Sequence, residues 1–206
     1  MGYPAKRSLP LFWRSIIDEG GPLNEIDYSI ILPVYNQADH IQSVVGEYMA
    51  ALERFPAAWE LILAVNGSRD DSWIRCRDVS AGEPRMRALQ CPHAGWGSAV
   101  CTGIRESRGV HICYTNSART SASDLLLMLL YAHTNPDVVI KANRKIRESR
   151  SRRLGSLLYN MECRALFDLP YWDINGTPKI FPRKFHHLVH LSSQDDLIDL
   201  EFHVIC

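Results

Sequence analysis

The feature that most constrains this chain is a series of short, unbroken apolar runs separated by stretches of helical period. Tyr28-Ser-Ile-Ile-Leu32, closed by Pro33, and Leu61-Ile-Leu-Ala-Val65, closed by the Asn66-Gly67-Ser68 turn, read as buried parallel strands. Between them Ile41, Val44, Val45, Tyr48, Met49 and Leu52 recur at helical spacing and define one apolar face. Residues 85–90 are expected as a third strand, and Gly95-Trp-Gly97 opens a helix that carries Val100 and Ile104. A fourth strand is expected at 110–114, a helix at about 123–132 and a fifth strand at 137–141. Strands and helices alternating at this pace predict a mostly parallel sheet covered on both faces. Ligands of such sheets bind at the carboxyl ends of the strands, so the informative loops are 33–37, 66–71, 93–97 and 115–120.

Composition narrows the function classes. The 206 residues suit one domain with a short appendage, and 46% hydrophobic with 22% charged residues is an ordinary globular balance. Lys and Arg number 23, as do Asp and Glu, so net charge points to neither nucleic acid nor membrane, and only local clusters can. The six cysteines are scattered without a C-x-x-C pair, which predicts reduced thiols and a cytoplasmic chain. The longest apolar run, residues 125–132, is far short of the roughly 18–20 residues that cross a bilayer. Residues 1–26 read as an N-terminal leader whose segment 9–17 suits a short amphipathic helix, and 27–206 as the domain proper.

The second half differs in character. Lys141, Arg144, Lys145, Arg147, Arg150, Arg152 and Arg153 face only Glu148 in sequence, and an apolar helix is expected from about 154 to 167. A turn-rich stretch, 170–178, leads to Lys179-Ile-Phe-Pro182 and a final helical pattern. The basic run contains no aromatic residue for base stacking, so no nucleic-acid partner is expected, whereas anionic lipid headgroups remain open. His186 and His190 share a helix face, but no third ligand is placed near them in sequence, and no metal is assigned there.

Five segments in order resemble family 2 glycosyltransferases of the dolichol-phosphate mannosyltransferase, or polyprenyl-phosphate, kind. They are Ser29-Ile-Ile-Leu-Pro-Val-Tyr-Asn-Gln37, Glu60-Leu-Ile-Leu-Ala-Val-Asn-Gly-Ser68, Gly95-Trp-Gly-Ser-Ala-Val-Cys-Thr-Gly103, Trp172-Asp-Ile-Asn-Gly-Thr-Pro-Lys-Ile-Phe181 and Asp199-Leu-Glu201. The resemblance implies an α/β fold of GT-A type, Rossmann-like, with a mostly parallel nucleotide-binding sheet flanked by helices. It implies a nucleotide-sugar half at about 27–140 and an acceptor half at about 141–206, and relatives that continue beyond the Asp199-x-Glu201 helix.

Carried over by position, Pro33, Tyr35 and Gln37 line the nucleotide base, with Val65, Asn66 and Ser117 beside them. Gly95 and Gly97 let backbone approach the donor and open a helix whose N-terminus favours anions. A plain strand-to-helix turn accounts for the same residues without a ligand. Where the family carries D-x-D this sequence has Asn116, Ser117 and Ala118, so the usual carboxylate ligands of Mg²⁺ or Mn²⁺ are absent. Arg119, Arg144, Arg147 and Arg153 are then the candidate phosphate-binding groups, since arginine grips phosphate without a metal. Asp173 and Asn116 are the candidate catalytic side chains, and Asn175 and Lys179 lie on the acceptor side.

The implied function is inverting transfer of a hexose from a GDP- or UDP-linked sugar to a polyprenyl phosphate, by a protein peripheral on the cytoplasmic membrane face. Two alternatives stand beside it. One is a catalytically degenerate domain that binds a nucleotide sugar or acts as a scaffold. The other is a cytosolic transferase acting on a hydroxyl, with Asp173 as general base.

Overall fold

The computed structural model describes residues 26–143 and 150–206, with side chains outside 150–153. The expectations for the leader, and those for Arg144 and Arg147, lie outside the described residues. In chain order the elements are β1 (Tyr28–Val34), α1 (Ile41–Leu52), β2 (Trp59–Val65), α2 (Ser72–Ser80), β3 (Met86–Gln90), α3 (Trp96–Glu106) and β4 (His111–Tyr114). There follow α4 (Ala122–Thr134), β5 (Ile140–Lys141), α5 (Arg150–Phe167), β6 (Lys179–Pro182), α6 (His186–Val189) and α7 (Ile198–Ile205).

Every residue of β1 and β2 is buried, which is why both read as continuous apolar runs. Alternate side chains serve two cores. Ile30, Leu32, Val34, Leu61, Leu63 and Val65 pack with Ile41, Val45, Tyr48 and Leu52 of α1 and with Leu125 and Leu129 of α4. Ile31, Ile62 and Ala64 pack on the other face with Val100 and Ile104 of α3 and with Ile198 and Phe202 of α7.

The six strands run in the order β3-β2-β1-β4-β6-β5. Pairings among β3, β2, β1 and β4 are parallel, which fits the predicted sheet. The sequence showed no sign that β6 inserts antiparallel between β4 and β5, pairing Ile112 with Phe181 and Ile140 with Ile180. Helix α2 is a further element that the apolar pattern did not announce. The fifth strand is shorter than expected, beginning at Ile140.

Lys179 begins β6 and is fully buried. Its ammonium donates to the Ile174 carbonyl at 3.0 Å and pairs with the Asp199 carboxylate, which also accepts from the Tyr114 hydroxyl at 3.1 Å. Lys179 was expected on the acceptor side. Its side chain turns into the core, where the rings of Tyr114 and Phe202 lie 5.4 and 5.5 Å from the ammonium.

His203 of α7 shares the Ile174 carbonyl, with Nε2 at 3.2 Å. Burial, then the charges of Lys179 and Lys141, push its pKa down to about 3 despite an opposing influence from Asp173. The folded state thus holds a neutral imidazole that the unfolded chain protonates below roughly pH 6.5. The stabilisation is complete above that pH and is lost as pH falls towards 3. By linkage the fold should lose about 2 kcal/mol between pH 7 and pH 5 from this group. Urea titrations at the two pH values check it, and His203→Gln should flatten the difference.

Candidate functional site

A cleft of about 480 Å³ opens at the carboxyl ends of the parallel strands. It is lined by Pro33, Tyr35, Gln37, Asn66, Ala94, Gly95, Trp96, Asn116 and Asp196. The loops that follow β1, β2, β3 and β4 therefore all reach one concave site, joined by the segment before α7.

The loops after β1 and β2 are laced together. Asn36, in the left-handed region at φ 48°, accepts from the Arg69 N–H at 2.9 Å through its side chain and donates its own N–H to Ser68 Oγ at 3.1 Å. Gln37 N–H donates to Ser72 Oγ at 2.7 Å, and Ala38 N–H to Asp70 Oδ2 at 3.0 Å. Hydrogen bonds from Ser72 and Ala38 hold the Asp70 carboxyl below the usual carboxylate range. This lacing sets Tyr35 on the rim of the cleft, 51% exposed, where a ring can stack on a planar ligand.

Asn66 is nearly buried and works at both ends. Its amide donates to the Val34 carbonyl at 3.0 Å, and its Oδ1 accepts from Gly95 N–H at 3.2 Å. It thus ties the end of β1 to the glycine loop. Val65 forms part of the core beneath it and does not line the cleft. Ser117 Oγ donates to Gln37 Oε1 at 3.3 Å, which steers the glutamine amide from below.

Beyond β4, Asn116 forms a closed turn. Its Oδ1 accepts from Ala118 N–H at 3.0 Å, and its carbonyl accepts from Arg119 N–H and Thr120 N–H. Arg119 is exposed. Thr120 Oγ1 donates to the Thr177 carbonyl at 3.4 Å, joining this loop to the 170–178 turn. In that turn Asp173 is 5% exposed with φ 54°, and its carbonyl accepts from Gly176 N–H at 2.8 Å and from Lys141 Nζ at 3.1 Å. Asn175 Oδ1 is buried with no hydrogen-bond partner among the described residues. Asp173 and Asn175 do not line the cleft. Arg153 lies in α5, on a stretch whose side chains are not described.

The segment 191–197 supplies what the sequence reading missed. It brings Asp196 into the cleft and lays backbone across the start of α3. Ser98 N–H donates to the Gln194 carbonyl at 2.9 Å, and a Cβ on Gly97 would overlap the carbonyls of Ser193 and Asp195. Glu201 of α7 fastens the segment, accepting from Ser192 N–H at 2.9 Å and Ser193 N–H at 2.8 Å. Burial would raise the Glu201 pKa, but these hydrogen bonds hold it below the usual carboxylate range. Gly97 thus faces the segment, and Gly95 faces both the segment and the cleft. Trp96, also on the cleft, carries a buried indole N–H without a partner among the described residues. Among the described residues no group of three or more His, Cys, Asp or Glu is placed to hold a metal ion.

A strand-end cleft reached by four loops of a mixed, mostly parallel sheet defines an α/β domain whose candidate site lies at the strand ends. Residues 29–190 match the model of glycosyl transferase family 2, and the chain belongs to that family. It is 28% identical over 142 residues to the undecaprenyl-phosphate 4-deoxy-4-formamido-L-arabinose transferase of Pectobacterium atrosepticum, which covers 66% of this chain and 42% of that protein. It is 30% identical over 92 residues to a dolichyl-phosphate beta-glucosyltransferase of Trichomonas vaginalis, covering 42% of this chain and 27% of the other. The chain thus spans less than half the length of these relatives.

Among solved structures, a mannosyltransferase from Pyrobaculum calidifontis in complex with GDP-Man and Mn²⁺ superposes with a TM-score of 0.55 at 16% identity. The match covers 92% of this chain and 56% of that one. Glucosyl-3-phosphoglycerate synthase from Mycobacterium tuberculosis in complex with UDP gives 0.57 at 16% identity, over 79% and 58% of the two chains. At such identity these matches establish the shared fold.

Proposed function

We propose that this domain moves a hexose from a nucleotide sugar to a polyprenyl phosphate, with inversion at the anomeric carbon. The observation that carries the reading is the strand-end cleft itself, in a family 2 chain, with an exposed aromatic and three amides at its mouth and floor. The acceptors in the relatives' names, undecaprenyl phosphate and dolichyl phosphate, support a lipid phosphate as acceptor here.

Tyr35 stacks on the base, and Gln37, held by Ser117, reads its polar edge. Asn66 sets the height of the Gly95 loop under the donor. An acceptor phosphate oxygen is ionised at neutral pH, so it attacks the anomeric carbon without a general base. The bond to the diphosphate oxygen breaks as the new one forms, and the nucleoside diphosphate leaves with its electron pair. Charge on that leaving group is met by cationic side chains, with Arg119, Arg144, Arg147 and Arg153 as candidates. Asp173, buried in its turn, orients the acceptor region and takes no proton.

The dication that the family resemblance implies does not fit the donors present. At the positions read as replacing D-x-D, Asn116 offers a neutral oxygen already engaged by Ala118 N–H, and Ala118 offers no side-chain oxygen. Among the described residues Asp196 is the one carboxylate on the cleft lining. We place the domain peripherally at the cytoplasmic membrane face, where a lipid phosphate is available. Among the described residues no helix is long and apolar enough to cross a membrane.

Calorimetry with GDP-mannose, UDP-glucose and UDP-GlcNAc, each with EDTA and with Mg²⁺ or Mn²⁺, tests the reading. Micromolar binding indifferent to EDTA is expected for one donor, and no binding of any donor would defeat the proposal. Tyr35→Ala should weaken that binding by roughly 5–150-fold, the range of one base–aromatic stack, with an unchanged melting temperature because the ring is exposed.

A further inference from the structure

Helix α5 is inside out. A helix on a globular domain ordinarily turns its apolar stripe inward and its polar face to water. Here Leu154, Leu157, Leu158 and Met161, spaced at i, i+3, i+4 and i+7, are 44–59% exposed. The opposite face is the one that docks. Asn160 is buried there, its amide donating to the Ser156 carbonyl and its Oδ1 accepting from Ile174 N–H at 3.0 Å. Cys163, on the same side, packs with Leu169 and Ile174. Four large apolar side chains in one row, with hydrogen bonds behind them, form a surface built to be covered.

Three observations identify what covers it. In sequence, residues 144–153 lead into the stripe with six Lys or Arg against Glu148 alone. At the other end the apolar surface continues through Leu166 and Phe167 to Tyr171 and Trp172, all substantially exposed. Indole and phenol rings favour the boundary between acyl chains and headgroups, and the Arg164 guanidinium lies 4.2 Å over the Trp172 ring. A cationic lead-in, an apolar row and terminal aromatics are what an anionic bilayer surface takes.

We infer that α5 docks along the surface of an anionic membrane, with Leu154, Leu157, Leu158 and Met161 at the acyl boundary. The helix lies in the plane of the interface and does not cross it. This deepens the proposed function, because it presents the domain to a leaflet that carries a lipid-phosphate acceptor.

The test is vesicle flotation of the full chain without any nucleotide sugar, so its failure is separate from failure of donor binding in solution. The lipids are phosphatidylcholine alone and phosphatidylcholine mixed with phosphatidylglycerol. The protein should float with the mixed vesicles, less so at high salt, and not with neutral ones. Leu157→Glu with Leu158→Glu should reduce partitioning roughly ten-fold or more with an unchanged circular dichroism melt, since both side chains are exposed. Equal flotation of the double variant would overturn the inference by assigning binding to charge alone. Absence of flotation would overturn it too, as would a concentration-dependent dimer that the double variant abolishes.

Discussion

Lys179→Met should destabilise the fold by about 3–5 kcal/mol, the cost of leaving one partner of a buried ion pair alone. The lysine is fully buried, and Asp199 beside it is almost so. Removing the ammonium leaves the Asp199 carboxylate buried against the Tyr114 hydroxyl, whose pKa is raised far above its usual value by burial and then by Asp199. It also frees one of the donors that pin the Ile174 carbonyl, and with it the 170–178 turn. The denaturation midpoint should fall sharply at unchanged m-value.

The second variant in the pair decides the cause. Lys179→Met combined with Asp199→Asn removes both charges and keeps an acceptor for Tyr114, so it should recover more than half of the loss. If Lys179 instead met an acceptor phosphate, the single variant would stay within about 1 kcal/mol of the parent. It would lose acceptor binding alone.

Lys179 also shows where sequence reading reaches its limit. A lysine opening a four-residue run that ends in proline looks like surface, and nothing local announces that an aspartate twenty residues later neutralises it. The antiparallel placement of β6 was hidden for the same reason, because its pairing partners, β4 and β5, lie far away in sequence. By contrast β1, β2 and their loops were legible, since burial on both faces writes an unbroken apolar run and a sharp turn follows it. The loops 33–37, 66–71, 93–97 and 115–120 could be named because strand ends in such sheets converge, and the family resemblance singled out Pro33, Tyr35, Gln37, Asn66, Gly95 and Asn116 within them.

Asp196 was not legible. It reaches the cleft through tertiary packing of a loop that carries no motif of its own. Helix α5 was read as an apolar helix, correctly in composition, but only the structure shows that its leucines face outward and Asn160 inward.

Gly97→Ala should cost about 1–3 kcal/mol through overpacking, while Ser98→Ala next to it should cost almost nothing. Both sites are fully covered positions in the first turn of α3. At Gly97 a methyl group meets two backbone carbonyls, Ser193 and Asp195, which cannot rotate away as a side chain would. The segment 192–195 has to shift, against the hydrogen bonds from Ser192 and Ser193 that Glu201 collects. At Ser98 the substitution removes a buried hydroxyl that has no partner among the described residues, so little is lost beyond a few packing contacts.

The same shift bears on the donor. Gly95 N–H is already held by Asn66, and Ser98 N–H by Gln194, so the start of α3 offers an anion fewer free donors than the two glycines suggest. Moving the segment also moves Asp196, which lines the cleft. Gly97→Ala should therefore change donor affinity by more than its stability loss accounts for, read by calorimetry well below the melting temperature. Unchanged affinity in a destabilised variant would show that segment 191–197 braces α3 and takes no part in binding the donor.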